Sequence, residues 1–150
     1  MDANLNELYQ DIILEHNRNP RNKGVLPSPA SSAQGYNPSC GDDITVFVEL
    51  KNGRVQAIKF DGEGCAISQA SASLMTEALL GKTSDEALAI VEKVCSLFGE
   101  TSKNEVNIGD YGELIALIGV KKFPMRIKCA TLAWHAAEKA IKKGLQNDLS

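Results

Sequence analysis

Residues 44–60, ITVFVELKNGRVQAIKF, decide the fold. Alternate residues over 44–50 are β-branched or aliphatic, which is the period of a strand that turns one face toward a core. Asn52-Gly53 follows within two residues, and this dipeptide favours a type I′ turn because both of its residues tolerate positive φ. The sequence therefore predicts a β-hairpin whose second strand covers residues 55–60.

Helical spacing dominates the sequence on both sides of the hairpin. Apolar residues recur there at intervals of three and four, which places them on one face of a helix. Strands that come early, with helices later and no βαβ alternation, predict an α+β fold with a small antiparallel sheet packed by helices on one face. A first helix is predicted to end near Asn17, followed by a loop over 18–34. After the hairpin, one helix is predicted from Ile67 to Leu79, before Gly81, and another from the Thr83/Glu86 capping box to Phe98. A loop over 101–107, a short helix over 113–118 and a last helix from Pro124 complete the prediction.

Length and composition narrow the function classes. The chain has 150 residues, 43% of them hydrophobic and 23% charged, which predicts a single domain over 1–150 rather than a disordered or fibrous chain. No apolar stretch approaches the length of a membrane-spanning helix, and the first residues do not resemble a signal peptide, so we expect a cytoplasmic protein. A net charge of −3 disfavours a nucleic-acid partner.

The four cysteines are the main candidates for function, because thiols in a reducing compartment serve as ligands, nucleophiles or core residues. Cys40 lies in the turn-forming stretch before the hairpin, Cys65 follows the second strand, and Cys129 lies early in the last helix. Asp42 adds a carboxylate two residues after Cys40. Three thiolates and one carboxylate suit a tetrahedral Zn²⁺ site.

The positions of the cysteines alone do not exclude the alternative that they are buried core residues and not metal ligands. Free cysteine is often buried as a small hydrophobe, and no Cys-x-x-Cys pair is present. Cys95 shares an apolar helical stripe with its neighbours and is assigned to the core. His16 and His135 lie on predicted helices outside any motif with a cysteine, so they are interpreted as surface or packed residues.

Basic residues gather around Cys129, and two readings of them stay open. A run of charges is usually a solvated face. Alternatively, a Zn²⁺ ion with three thiolates and a carboxylate carries a charge of −2, which nearby cations would offset and an acidic partner could share. The residues concerned are Lys121, Lys122, Arg126 and Lys128.

Four blocks of sequence together resemble the IscU/NifU-like iron–sulfur cluster assembly family, and most closely its SufU branch. The resemblance implies a SufE/IscU-like α+β fold, in which helices pack on one face of a small antiparallel sheet of three strands. It also implies that Cys40, Asp42, Cys65 and Cys129 hold one metal ion. The blocks are NRNPRNKG over 17–24, NPSCGD over 37–42, GEGCAIS over 62–68 and FPMRIKCATL over 123–132.

Two features separate this chain from the scaffold members of the family. Scaffolds typically have a histidine directly before the third cysteine, where this chain has Lys128, and they lack the extra segment over 99–122. Both features resemble the SufU branch. The role implied by that branch is a zinc-dependent sulfurtransferase that accepts persulfide sulfur from a SufS-type cysteine desulfurase and passes it to downstream Suf assembly components.

The resemblance also implies a mechanism in which a histidine of the docked desulfurase replaces one cysteine on zinc, and we expect Cys40, on its turn, to be the one released while Asp42, Cys65 and Cys129 keep the metal. The freed Cys40 then takes the sulfane sulfur, and Arg126 is the candidate contact to the partner. Two alternatives remain at this point. The same ligands could hold an iron–sulfur cluster on a scaffold, or a structural zinc ion in a docking module.

Overall fold

A computed structural model describes residues 3–27, 30–98, 116–117, 120 and 124–149. The predicted loop over 101–107 and most of the predicted short helix over 113–118 lie outside these residues. Within the described residues, no helix is both long enough and apolar enough to cross a bilayer. The elements are α1 (Ala3–Arg18), β1 (Ser31–Asn37), β2 (Asp42–Lys51), β3 (Arg54–Glu63), α2 (Ala66–Leu79), α3 (Ser84–Leu97) and α4 (Pro124–Leu149).

The predicted hairpin is present as β2 and β3. The strands are antiparallel, with Lys51 opposite Arg54, and the turn between them places Asn52 at φ 54° and Gly53 at φ 74°. Positive φ at both central positions is the requirement of the type I′ turn. The prediction from the Asn-Gly dipeptide is therefore confirmed.

A third strand, β1, pairs antiparallel with β2 to give the order β1-β2-β3. The predicted loop over 18–34 is wrong in its last part, because Ser31–Gln34 belong to this strand. The segment is polar and has no alternation of apolar residues. As an edge strand it is stabilised by backbone pairing with β2 and by α4, which packs against it.

The core lies between the helices and one face of the sheet. Trp134 of α4 is fully buried there, and its Nε1 donates a hydrogen bond to Ser71 Oγ of α2 at 2.9 Å. Ser71 Oγ in turn donates to the carbonyl of Ala130, so α2 and α4 are joined by polar contacts inside the core. The α+β prediction is confirmed. The inward residues of β2 and β3 are Ile44, Val46, Val48, Val55, Ile58 and Phe60.

The contact between β1 and α4 is unusually close at one glycine. A Cβ atom placed on Gly35 would lie 3.0 Å from the Leu132 side chain and 3.2 Å from the Leu132 carbonyl oxygen. Such distances are shorter than ordinary van der Waals contact. The absence of a side chain at Gly35 therefore allows α4 to lie directly on β1.

The helix α1 is joined to α2 by a buried histidine. His16 has no exposed surface, its Nδ1 lies 2.7 Å from Ser73 Oγ, and its Nε2 lies 3.6 Å from Glu77 Oε1. The backbone N–H of Arg21 also donates to Ser73 Oγ, at 2.8 Å. His16 is thus a packed residue, one of the two interpretations given from sequence, and its partner Ser73 anchors both α1 and the segment after it.

Candidate metal centre

Three element ends bring the predicted ligands together. Cys40 lies in the turn between β1 and β2, and Asp42 is the first residue of β2. Cys65 is the N-cap of α2, and Cys129 is in the second turn of α4. Because the sheet and the two helices share one core, these ends meet on one side of the molecule.

Cys40, Asp42 and Cys129 form a compact group. One ligand atom from each lies within 4.8 Å of the other two, and the Sγ atoms of Cys129 and Cys40 are 3.0 Å apart. Asp42 and Cys129 are fully buried, whereas Cys40 is partly exposed. A thiol, a thiol and a carboxylate at this spacing can share one metal ion.

Cys65 lies beside this group and contacts its carboxylate. The Cys65 Sγ atom is 4.0 Å from Asp42 Oδ2. The same sulfur accepts a hydrogen bond from the backbone N–H of Ser68 at 3.5 Å, as expected for an N-cap side chain.

The candidate ligands are held by neighbours to which the sequence reasoning gave no role. The Oδ1 atom of Asp42 accepts hydrogen bonds from the Cys65 backbone N–H at 2.8 Å and from Ser68 Oγ at 3.2 Å. Asn37 Nδ2 lies 3.9 Å from Cys129 Sγ and donates toward it. Asn37 and Ser68 are inside the sequence blocks that carry the resemblance, but a lone serine or asparagine has no spacing signal of its own.

The electrostatics of the group favour a bound cation. Burial raises the pKa of the Cys129 thiol, and its hydrogen bonds with Cys40 and Asp42 and the charge of Cys65 act in the same direction. Acidic groups packed this closely cannot all ionise unless a positive charge compensates them. The donor set, three soft thiols and one carboxylate, therefore fits a divalent ion such as Zn²⁺.

Arg126 is an exposed cation beside this group, in the first turn of α4. Its hydrogen bond with Cys129, and the negative charges of Cys65, Cys129 and Cys40, raise the pKa of the guanidinium. Lys128 is also exposed, while Lys121 and Lys122 lie outside the described residues. The charge at Arg126 is thus placed both beside the thiols and toward solvent.

The remaining cysteine and histidine side chains lie elsewhere. Cys95 is partly buried and packs against the hydrophobic core, as predicted. Its Sγ atom is 4.0 Å from Nε2 of the exposed His135. Neither residue is in the group formed by Cys40, Asp42 and Cys129.

A three-stranded antiparallel sheet covered by helices, with cysteines from three element ends around one carboxylate, defines a small α+β protein with a thiol-rich candidate metal site. The chain belongs to the family of the NifU-like N-terminal domain, whose sequence model matches residues 8–130. This membership confirms the resemblance seen in the four sequence blocks.

Individual relatives carry two kinds of name. The chain is 46% identical over 142 residues to the zinc-dependent sulfurtransferase SufU of Bacillus subtilis, which covers 95% of each chain. It is 41% identical over 143 residues to the iron–sulfur cluster assembly scaffold protein IscU of Streptococcus pyogenes, covering 94% of this chain and 87% of the relative. A crystal structure of FiSufU from Fervidobacterium islandicum superposes with a TM-score of 0.80 at 31% identity, over 93% of this chain and 99% of that chain.

Proposed function

We propose that this protein is a zinc-dependent sulfurtransferase of iron–sulfur cluster assembly that accepts persulfide sulfur from a SufS-type cysteine desulfurase on Cys40. The observation that carries the proposal is the asymmetry of the site. Cys40 is a partly exposed thiol in a turn, next to the buried Cys129 and Asp42, whereas Cys65, which is also partly exposed, is fixed as the N-cap of α2. The name of the Bacillus subtilis relative supports the same activity.

Four side chains of this chain would hold the zinc ion: Cys40, Asp42, Cys65 and Cys129. Bound zinc keeps thiols ionised near neutral pH and does not oxidise them, because it has no redox chemistry. Asp42 and Cys65 are tied to the start of α2, and Cys129 is part of α4. Cys40 lies in the turn before β2, next to Gly41 at φ 71°, and not in a helix or strand. Release of Cys40 from zinc would therefore disturb less of the fold than release of another ligand.

The transfer step itself needs only the Cys40 thiolate and the donor persulfide. The Cys40 sulfur attacks the terminal sulfur of the desulfurase persulfide and forms a new S–S bond. The donor S–S bond breaks, and its electron pair leaves on the desulfurase cysteine as a thiolate. One sulfur atom has moved, and no net oxidation or reduction has occurred.

Arg126 is the residue that we expect to meet the desulfurase. It is exposed beside the three thiols, in the first turn of α4. A cation at the edge of a reacting site attracts an acidic partner surface and orients it during encounter. Docking at Arg126 would bring the donor persulfide to the side of the site where Cys40 is accessible.

The test is persulfide formation at single cysteines. Wild type, Cys40→Ala and the matched control Cys95→Ala are incubated with a SufS-type desulfurase, pyridoxal phosphate and cysteine. Alkylated peptides are then mapped by mass spectrometry, and desulfurase turnover is recorded in parallel. We expect Cys40→Ala to lose both the persulfide and the stimulation of turnover, and Cys95→Ala to retain both. Full stimulation by folded Cys40→Ala would remove Cys40 from the acceptor role.

A scaffold for cluster assembly is the second candidate function. The name of the Streptococcus pyogenes relative favours it, and thiolates with a carboxylate can also ligate iron. Anaerobic reconstitution with iron and sulfide distinguishes the two. A scaffold gains a visible absorption band and transfers its cluster to an acceptor protein, whereas the proposed sulfurtransferase does neither.

A further inference from the structure

Ser68 contacts two of the candidate ligands from one position in the first turn of α2. Its backbone N–H donates to Cys65 Sγ at 3.5 Å, and its hydroxyl lies 3.2 Å from Asp42 Oδ1. Ser68 is only 1% exposed. A buried hydroxyl at this place therefore acts on the candidate metal centre and not on solvent.

The two oxygens of Asp42 have different surroundings. Oδ1 accepts the Cys65 backbone N–H at 2.8 Å and also faces the Ser68 hydroxyl. Oδ2 lies on the side of Cys65 Sγ, at 4.0 Å. Since Asp42 has no exposed surface, water does not compete for either oxygen. Hydrogen bonding thus engages Oδ1 and leaves Oδ2 directed at the thiol.

The single proton of the Ser68 hydroxyl has two acceptors within reach. The carbonyl oxygen of Cys65 is 3.1 Å from Ser68 Oγ, close to the distance to Asp42 Oδ1. A carboxylate accepts a stronger hydrogen bond than a neutral carbonyl. The Ser68 hydroxyl is therefore expected to donate to Asp42 Oδ1.

Gly64 shows how tightly these groups are packed. A Cβ atom at Gly64 would lie 2.2 Å from Ser68 Oγ and 2.7 Å from Asp42 Oδ1. Both distances are far inside van der Waals contact, so any side chain at this position would displace the hydroxyl or the carboxylate. Glycine at position 64 therefore leaves room for the contact between Ser68 and Asp42.

We propose that Ser68 is a positioning residue that fixes Asp42 as a ligand through Oδ2 alone. The inference rests on the metal site of the proposed function, but not on sulfur transfer. Groups that hold a metal ligand in place typically change metal affinity by about 10–100-fold when they are removed. Ser68→Ala removes the hydroxyl and keeps the backbone N–H, which donates a hydrogen bond to Cys65 Sγ.

The experiment measures metal binding and ligand geometry without any desulfurase. Zn²⁺ affinity is determined by competition with a chromogenic chelator, and Co²⁺ is substituted to record absorption bands. We expect Ser68→Ala to lose about 10–100-fold in Zn²⁺ affinity and to shift the visible Co²⁺ bands, which depend on ligand geometry. The thiolate-to-cobalt band in the near ultraviolet should keep its intensity, because all three cysteines are present.

Two further variants separate positioning from folding. Ser73→Ala removes another buried serine hydroxyl of α2, one that faces His16 and Arg21, so it should lower thermal stability and leave the Co²⁺ spectrum unchanged. Ser68→Thr restores a hydroxyl and should recover most of the affinity. If folded Ser68→Ala matched wild type in both Zn²⁺ affinity and Co²⁺ spectrum, the inference would be wrong. A wild-type chain that bound neither ion would overturn the metal site itself, whereas failure of persulfide transfer would leave these results unaffected.

Discussion

The thiol of Cys95 ionises less readily than an ordinary cysteine thiol, and the cause lies in its surroundings. Cys95 is partly buried and packs against the core. Burial raises the pKa of the Cys95 thiol from 9.0 to about 11, and the charge of Glu138 acts in the same direction. A protonated thiol is a poor nucleophile, so Cys95 should be chemically inert near neutral pH.

Alkylation of Cys95 tests this difference. We expect the rate at which Cys95 reacts with iodoacetamide to increase with pH. The midpoint of this increase should lie near pH 11 in the folded protein and near pH 9 in the unfolded chain. The folded state binds the proton more tightly over this window. Ionisation of Cys95 therefore leaves the free energy of unfolding unchanged below pH 9 and lowers it as the pH rises from about 9 to 11. Peptide mapping by mass spectrometry gives the rate for Cys95 alone, and a midpoint near pH 9 in the folded protein would contradict the expectation.

Arg126 offers a second prediction for a single residue. Arg126→Glu reverses the exposed charge beside the thiols and should weaken binding to the desulfurase by at least about tenfold, or about 1.4 kcal/mol. Lys139→Glu makes the same charge change at an exposed position further along α4 and serves as the control. Titration calorimetry at two salt concentrations measures both. Equal losses of affinity for the desulfurase in the two variants would show that net charge, and not the position of Arg126, determines binding.

At the scale of elements, the turns and caps of the chain determine where the helices and strands begin and end. The capping box of α3 is complete: Thr83 Oγ1 accepts the Glu86 N–H at 3.1 Å, and Glu86 Oε1 accepts the Thr83 N–H at 3.0 Å. This reciprocal pair was predictable because both partners lie within three residues. The hairpin turn was predictable for the same reason.

Removal of the cap should have a measurable cost. Thr83→Ala leaves one N–H at the start of α3 without its partner and should lower the free energy of unfolding by about 1 kcal/mol. Urea denaturation followed by circular dichroism measures the change. Thr83→Ser keeps the hydroxyl and should stay close to wild type; a loss in Thr83→Ser as large as that in Thr83→Ala would exclude capping as the cause.

The strand β1 shows why local patterns were insufficient elsewhere. Its residues are mostly polar, and its partners Val48 and Asp42 come later in the chain, so pairing across the sheet stabilises a segment with little strand propensity of its own. His16 is a similar case, since its partner Ser73 is 57 positions away. The positions of Cys40, Cys65 and Cys129 at element ends suggested a shared site; the folded chain groups Cys40 and Cys129 with Asp42, and Cys65 Sγ lies 4.0 Å from that carboxylate.

For the molecule as a whole, the candidate metal centre joins elements from separate parts of the chain. The turn before β2, the start of α2 and the start of α4 each supply a candidate ligand. A ligand that binds only the folded state stabilises it by about 4 kcal/mol when its concentration is 1,000 times its dissociation constant. The metal ion should therefore contribute to folding as well as to chemistry.

Metal removal tests this contribution. Exhaustive treatment with a chelator should lower the melting temperature, and stoichiometric Zn²⁺ should restore it, as measured by calorimetry. Cys129→Ser should lower the melting temperature of the zinc-loaded protein toward that of the metal-free wild type, because one ligand is lost. Mg²⁺ is the control, since it disfavours thiolate ligands; equal restoration by Mg²⁺ would point to an unspecific salt effect.

The close approach of Gly35 to Leu132 has a consequence for reading natural sequence variation. Leu132 lies three residues after Cys129 on the same helix, so we expect a methyl group at position 35 to shift this part of α4 and the thiol that it carries. Such a change should lower the metal content of the protein, although residue 35 supplies no donor atom. Screens that score variants only by their distance to a ligand would miss it.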